Sequence, residues 1–233
     1  MPTRANALAV MAKAPIAGAV KTRLIPFLTV GQAAELARAL LVDQLEHLCA
    51  LKSIDLYLSY APPEEKTLMR RLAPAPFALF PQSEGDLGAR MQNIFAALFA
   101  QGHQKVTLIG ADLLPVPLSH FAQAFAYLDQ PEPRAVLGPS RDGGYYLIGL
   151  NRPAPELFTQ MTWSHHQVWA ETMQRLTSLG VTTWQLPEWF DVDRPDDLPL
   201  VQPALALLPK QAAPNISRFL RELKSTRKRL LLR

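Results

Sequence analysis

Short apolar runs alternate with longer amphipathic segments along almost the whole chain of 233 residues. Residues 7–11 and 54–60 have the composition of strands, and residues 106–109 are apolar throughout, as a parallel strand covered on both faces requires. The segments between such runs repeat apolar residues with helical spacing. This alternation predicts an α/β fold of three layers, with a mostly parallel mixed sheet and helices on both faces.

Two helix starts carry the signature of a capping box, a small polar residue followed three positions later by Glu or Gln. Thr29 and Gln32 predict a helix that runs to about residue 51. Ser164 and Gln167 predict another, which ends at Gly180 because glycine favours the end of a helix.

The net charge of +4 comes from the last part of the chain. Residues 210–233 contain eight basic residues and one acidic residue, whereas the remaining 209 residues carry a net charge of −3. A nucleic-acid-binding protein concentrates basic charge on its folded body, so this distribution argues against a nucleic-acid partner. We predict one domain over residues 1–209 and a loosely attached basic helix or tail over residues 210–233. A solvated tail is favoured over one that contacts a membrane.

The chain lacks the features of a membrane or secreted protein. No apolar run reaches the roughly 18 residues of a transmembrane helix, and the N-terminal residues lack the apolar core and cleavage site of a signal peptide. The single cysteine, Cys49, cannot form an internal disulfide. We therefore predict a cytoplasmic protein, and the sequence leaves its oligomeric state open.

Ligands of parallel α/β sheets bind beyond the carboxyl ends of the strands, and a basic loop follows the first predicted strand. It contains Lys13, Gly18, Lys21, Thr22 and Arg23. Lysine and arginine can neutralise phosphate oxygens, and a glycine lets backbone N–H groups approach an anion. The alternative is a solvated basic loop. The segment is neither a Walker A loop nor a G-x-G-x-x-G fingerprint, which argues against an ordinary ATPase and an ordinary dehydrogenase.

Two further segments stand where strands end. Asp112 directly follows the strand 106–109, where a carboxylate could hold Mg²⁺ on a diphosphate or could simply cap a helix or turn. Asp142, Gly143, Gly144 and Tyr145 lie between two predicted strands. Paired glycines there indicate either a hairpin turn or a backbone pressed against a ligand. Asp142 and the tyrosine hydroxyl could recognise the hydroxyl groups of a sugar or acceptor.

The fourth segment is acidic and contains Asp191, Asp193, Asp196 and Asp197. The first two are two residues apart, so that their side chains can face the same side of an extended chain. Capping of the next helix is the alternative role for all four residues. That role suits Asp196 and Asp197 and explains Asp191 less completely.

In order and spacing, these segments resemble a family of transferases with the glycosyltransferase-A fold, also called the nucleotide-diphospho-sugar transferase fold. The family is often labelled arsenosugar-biosynthesis-type glycosyltransferase, and the resemblance covers about residues 5–200. The matching motifs are Lys13-x-Pro15-x-x-Gly18-x-Val20-Lys21-Thr22-Arg23-Leu24, Gly110-Ala111-Asp112, Gly138-Pro139-x-x-Asp142-Gly143-Gly144-Tyr145-Tyr146-Leu147-Ile148-Gly149-Leu150, Trp163-Ser164 and Asp191-Val192-Asp193-x-Pro195-x-Asp197-Leu198.

The resemblance implies a Rossmann-like fold that holds a nucleotide-sugar or nucleotide, together with a divalent ion, Mg²⁺ or Mn²⁺. It implies catalytic roles for Asp112 and Lys21, and metal binding by Asp112 and by Asp193. Two departures from the family pattern are Leu114, where proline is frequent, and His165, where threonine is frequent. The residues for which the resemblance implies nucleotide or cofactor binding are Lys13, Gly18, Lys21, Thr22, Arg23, Asp142, Gly143, Gly144 and Tyr145.

Three functions fit these residues. A metal-dependent glycosyltransferase would use a nucleotide-sugar donor and an unknown small-molecule acceptor, and the family label favours it. A nucleotidyltransferase would join a nucleoside triphosphate to a sugar phosphate or phospho-acid, and the lysine-containing first loop favours that reaction. A nucleotide-binding protein without catalysis is the third hypothesis.

Overall fold

The computed structural model describes residues 4–25, 27–189, 191–209 and 211–230. Across these residues, no helix combines the length and the apolar character needed to cross a membrane. The strands are β1 (Asn6–Lys13), β2 (Ile54–Ala61), β3 (Phe77–Pro81), β4 (Lys105–Gly110), β5 (Arg134–Pro139), β6 (Tyr145–Leu150) and β7 (Thr182–Gln185). The α-helices are α1 (Val30–Leu48), α2 (Lys66–Leu72), α3 (Leu87–Ala100), α4 (Leu118–Leu128), α5 (Val168–Ser178), α6 (Leu198–Leu205) and α7 (Pro214–Leu230).

The strands form one sheet of seven in the order β3-β2-β1-β4-β6-β5-β7. Strand β6 runs antiparallel to both of its neighbours, β4 and β5, and the other pairings are parallel. The prediction of a mostly parallel mixed sheet is therefore confirmed. Every described strand except β6 ends at the same edge, which we call the carboxyl edge.

Alternation along the strands sends apolar side chains to both faces of the sheet. In β1, Leu8 and Val10 join a core under α1, α4 and α7, whereas Ala7 and Ala9 join a second core under α3 and α5. All four side chains are fully buried. The predicted three-layer arrangement is thus confirmed, and both cores hold the strand ends in fixed positions.

One of the two predicted capping boxes forms. The Thr29 hydroxyl accepts a hydrogen bond from the Gln32 N–H, and the Gln32 side chain accepts one from the Thr29 N–H. The box at Ser164 was a wrong prediction, because α5 begins only at Val168 and Gln167 precedes it without a side-chain cap. Ser164 has a left-handed φ of +67°, whereas an N-cap residue adopts an extended backbone.

Helix α7 is bound more firmly than a loosely attached tail, so that part of the prediction was wrong. Its apolar face is buried through Ile216 and Phe219. The buried Asp43 carboxylate on α1 accepts hydrogen bonds from the Asn215 and Ile216 N–H groups at 3.0 and 2.8 Å, and from the Asn215 side chain at 2.7 Å. Lys210 and residues 231–233 of the predicted tail lie outside the described residues, and the boundary at residue 209 stays a prediction.

Candidate active site

Lys21 joins three of the four predicted segments at the carboxyl edge. It has a left-handed φ of +51° directly before the short 3₁₀ turn Thr22–Leu24, a conformation uncommon for a residue with a side chain. Its side chain is only 1% exposed, and its Nζ lies 2.7 Å from Asp112 Oδ1 and 3.6 Å from Asp193 Oδ1. The contact with Asp112 is an ion pair without the alignment of a hydrogen bond. A lysine buried this deeply needs paired charge, which these two acids supply.

Arg23 completes the cluster of cations and acids. Its guanidinium donates a hydrogen bond of 2.8 Å to Asp193 Oδ2, so that each oxygen of Asp193 faces a different cation. Asp112 differs, because its side chain is 64% exposed and pairs with Lys21 through one oxygen. The cluster therefore offers one largely solvent-facing carboxylate beside two positive charges.

The backbone beside Asp191 and Asp193 is fastened to two other parts of the edge. The Val192 N–H donates to the Asp112 carbonyl at 2.9 Å, and the Trp189 indole N–H donates to the Leu114 carbonyl at 3.0 Å. The Trp189 backbone N–H donates to the Pro139 carbonyl at the end of β5. These bonds bring the second, third and fourth predicted segments together.

Asp197 has the capping role that its position predicts. Its Oδ2 accepts hydrogen bonds from the Asp193 and Arg194 N–H groups at 2.8 and 2.6 Å, ahead of the turn Pro195–Asp197. The prediction is confirmed for Asp197. Asp193 instead directs its carboxylate toward the two cations.

The carboxyl of Asp191 has a shifted pKa that the sequence alone did not predict. Burial, followed by the nearby negative charges of Asp142 and Asp193, raises its pKa to about 6, although Lys21 acts in the opposite direction. Strongly perturbed acids are frequent at functional sites. The spacing of two acids two residues apart was the available signal, and the structure adds that Asp142 lies close enough to influence Asp191.

The hairpin between β5 and β6 is organised by Asp142. Its Oδ1 accepts hydrogen bonds from the Gly144 N–H at 3.0 Å and from the Ser140 hydroxyl. Gly143 has a φ of +88°, and a Cβ there would lie 2.1 Å from the His166 carbonyl oxygen. The Trp169 N–H donates to the Gly143 carbonyl at 2.9 Å. Gly143 is therefore pressed against the protein's own backbone, which fixes the position of this hairpin.

Replacing Gly143 by alanine should destabilise the protein, because the new Cβ meets backbone that cannot give way. We expect a loss of about 2–3 kcal/mol in the free energy of unfolding, measured by chemical denaturation. Gly102→Ala is the matched control, since Gly102 also has a positive φ, +94°, but a Cβ there would point into open space. Equal losses in the two variants would show that the close packing at Gly143 contributes nothing.

The remaining residues for which ligand binding is predicted in the first loop and the hairpin include Tyr145, Lys13, Thr22 and Gly18. Tyr145 points to the face that carries α3, where its hydroxyl lies 3.9 Å from Met91 Sδ, because alternation along β6 gives the opposite face to Tyr146. Lys13 is exposed at the end of β1, and Thr22 is exposed beside Lys21. Gly18 lies in the same loop with a φ of +85°, which favours glycine. Their ligand roles stay predictions.

The acids of the cluster fit a divalent ion that also uses phosphate and water as ligands. One positive centre, Lys21 Nζ, already lies within 4 Å of an oxygen of both Asp112 and Asp193. In the described parts of the chain, no group of three or more His, Cys, Asp or Glu side chains could hold a metal ion. Mg²⁺ commonly takes one or two carboxylates and fills its remaining positions with phosphate and water. Two protein ligands therefore suffice.

The structure is similar to solved structures of one fold. A candidate nucleotide-diphospho-sugar transferase from Desulfovibrio desulfuricans G20 has a TM-score of 0.86 and 28% identity, over 96% of each chain. A 4-diphosphocytidyl-2C-methyl-D-erythritol synthase from Anaerococcus prevotii has a TM-score of 0.56 and 10% identity, over 86% of this chain and 96% of its own. A cytidylyltransferase from Leptospira borgpetersenii has a TM-score of 0.56 and 11% identity, over 97% of this chain and 96% of its own. At these identities, the last two show the fold alone.

The fold is that of the nucleotide-diphospho-sugar transferase class, and the transferase name of the neighbour from Desulfovibrio desulfuricans G20 agrees with the predicted enzyme class. Residues 44–165 match the DUF2064 family, described as "Uncharacterized protein conserved in bacteria". The chain belongs to this family. No curated protein matches the chain.

Proposed function

We propose that the chain is a metal-dependent glycosyltransferase that uses a nucleotide-sugar donor. The observation that carries this proposal is the buried Lys21 between Asp112 and Asp193 at the carboxyl edge. Such a site combines fixed positive charge with carboxylates, which suits a diphosphate accompanied by a divalent ion. The similarity to a candidate nucleotide-diphospho-sugar transferase over nearly the whole chain supports the same substrate class.

Each residue of the cluster would have a separate task. Lys21 and Arg23 would stabilise the negative charge that develops on the leaving nucleoside diphosphate. Burial fixes the position of the Lys21 side chain before the substrate binds. Asp112 and Asp193 would hold the Mg²⁺ or Mn²⁺ ion. When bound, the ion would neutralise the diphosphate oxygens as a Lewis acid.

The acceptor would lie on the other side of the cluster, beside the β5–β6 hairpin. Asp142 and Asp191 are near enough for their charges to interact, and both can accept hydrogen bonds from hydroxyl groups. Their position supports an acceptor with hydroxyl groups, and its identity stays open.

Nucleotidyl transfer is the second candidate, and the paired Lys21 and Arg23 in the first loop favour it. That reaction needs cations around the α-phosphate of a nucleoside triphosphate. The two candidates differ in the ligand that binds more tightly, since a glycosyltransferase prefers a nucleotide-sugar to a triphosphate.

A thermal-shift screen of nucleoside triphosphates, nucleoside diphosphates and nucleotide-sugars, with and without Mg²⁺ or Mn²⁺, tests the proposal. We expect a nucleotide-sugar to raise the melting temperature most, and only with metal, because bound ligand stabilises the folded state. A triphosphate preference would favour nucleotidyl transfer. If the chain binds nucleotides but turns over no nucleotide-sugar and no triphosphate, it is a nucleotide-binding protein without catalysis. That result would contradict both glycosyl transfer and nucleotidyl transfer.

The variant Asp112→Asn should lose most of its metal-dependent nucleotide affinity. It should also lose some stability, because the Asp112 carboxylate is the acid nearest to the buried Lys21 ammonium. Isothermal titration calorimetry with Mn²⁺ and the nucleotide found in the screen measures the effect. Asp196→Asn is the matched control, since Asp196 is an exposed acid in the neighbouring turn. Equal metal-dependent affinity in both variants would remove Asp112 from the metal site.

A further inference from the structure

An exposed basic surface outside the candidate site lies on α7. Arg218, Arg221 and Lys224 are exposed at intervals of three residues, opposite the buried face of the helix. The sequence of α7 continues with three consecutive basic residues, 227–229, and contains a single acid, Glu222. We call the exposed side chains of Arg218, Arg221 and Lys224 the basic row.

Helix α7 runs from the middle of the molecule toward the carboxyl edge. Its first turn is bound to Asp43 on α1. The hydrogen bond and charge of Arg38 lower the pKa of Glu35, two turns nearer the start of α1, and the charge of Arg218 acts in the same direction to a smaller extent. Helix α1 begins at Val30, directly after the basic loop of the candidate site. The helix rises about 1.5 Å per residue, so the 14 residues from 216 to 230 cover about 21 Å, similar to the distance from Asp43 back to Val30.

A second contact also indicates that α7 runs toward the carboxyl edge. The Lys224 ammonium donates a hydrogen bond of 2.8 Å to the Gln202 side chain on α6. Helix α6 begins at Leu198, immediately after the acidic segment of the site, and α7 returns beside it. The C-terminal part of α7 therefore approaches the edge that carries Lys21, Asp112 and Asp193.

Apolar side chains are exposed at that same edge. Phe27 is 42% exposed and Val30 is 43% exposed, at the end of the basic loop and the start of α1. Basic residues beside exposed apolar residues are typical of surfaces that adsorb to the interface of an anionic bilayer.

We propose that the basic row of α7 binds the surface of an anionic lipid bilayer and turns the carboxyl edge toward it. The apolar face of α7 is buried through Ile216 and Phe219, so the helix adsorbs by charge and does not insert. The proposal goes beyond the proposed transferase activity and does not depend on it.

Vesicle co-sedimentation of the full chain tests the proposal. Vesicles of phosphatidylcholine alone are compared with vesicles that contain about one third phosphatidylglycerol, at about 0.01 M salt and at about 1 M salt, where the Debye lengths are about 30 Å and 3 Å. We expect at least about tenfold stronger binding to the anionic vesicles at low salt, and its loss at high salt. The double variant Arg221→Glu/Lys224→Glu should lose this binding.

The matched control is Lys66→Glu/Arg71→Glu, which makes the same charge change at two exposed positions on α2. It should keep vesicle binding, and far-ultraviolet circular dichroism verifies that both variants are folded. Absence of anionic-vesicle binding by the full chain, or equal loss in the two double variants, overturns the proposal. Tighter binding to single-stranded RNA than to the vesicles at the same salt also overturns it and indicates a nucleic-acid partner. Nucleotide binding in solution is measured separately, so failure of the transferase proposal remains distinguishable.

Discussion

Lys21→Met should reduce the affinity for the nucleotide substrate, or the turnover of it, by about 10- to 150-fold. This range follows from about 1.5–3 kcal/mol for a charge-assisted contact, because the variant lacks the buried cation nearest to Asp112 and Asp193. Methionine keeps the length and the apolar stem of the side chain, so the change removes mainly the charge. Calorimetric titration with the nucleotide identified in the screen measures the affinity.

Lys52→Met serves as the control for this variant. Lys52 is exposed between α1 and β2, at the edge of the sheet opposite the candidate site. The control should bind nucleotide as the unchanged chain does. If Lys21→Met also keeps the original affinity and turnover, Lys21 does not contact the phosphates.

Asp43→Ala should lower the free energy of unfolding by about 2–4 kcal/mol. The carboxylate makes three hydrogen bonds to the start of α7, and loss of an N-cap alone costs about 0.5–2 kcal/mol. Denaturant unfolding followed by circular dichroism measures the effect. Asn215→Ala keeps both backbone bonds to Asp43 and removes the side-chain bond, together with an exposed bond from Arg218, and it should cost about 1 kcal/mol. Equal costs for the two variants would show that Asp43 does not hold α7 through its backbone.

The pH dependence of this effect has a defined sign. Burial raises the pKa of Asp43 above 3.8, despite the opposing hydrogen bonds from Ile216 and Asn215. A group that holds its proton more tightly when folded contributes stability below its folded pKa and loses that contribution as pH rises through it. The stability difference between the original chain and Asp43→Ala should therefore be smaller at neutral pH than at acidic pH. A difference that grows with rising pH would contradict the raised pKa.

Local sequence signals identified most of the elements, because the interactions behind them lie within a few residues of each other. The capping box of Thr29 and Gln32 and the apolar run in β4 are examples that the structure contains. Ser164 shows the limit of such signals. Its spacing to Gln167 is correct, yet Ser164 has a left-handed backbone in which no box can form, and the backbone of His166 two residues later packs against Gly143.

The sequence by itself determined the α/β architecture and placed Lys21, Asp112 and Asp193 at strand ends of one sheet edge. Only the tertiary structure decided that Lys21 is buried between the two acids, that Asp142 influences Asp191, and that the Tyr145 hydroxyl faces the helices. It likewise decided the attachment of α7, since Asp43 and Ile216 are 173 residues apart. The physical reason is that burial and ion pairing depend on which distant side chains the packed layers bring into contact, and periodicity along the chain does not encode those partners.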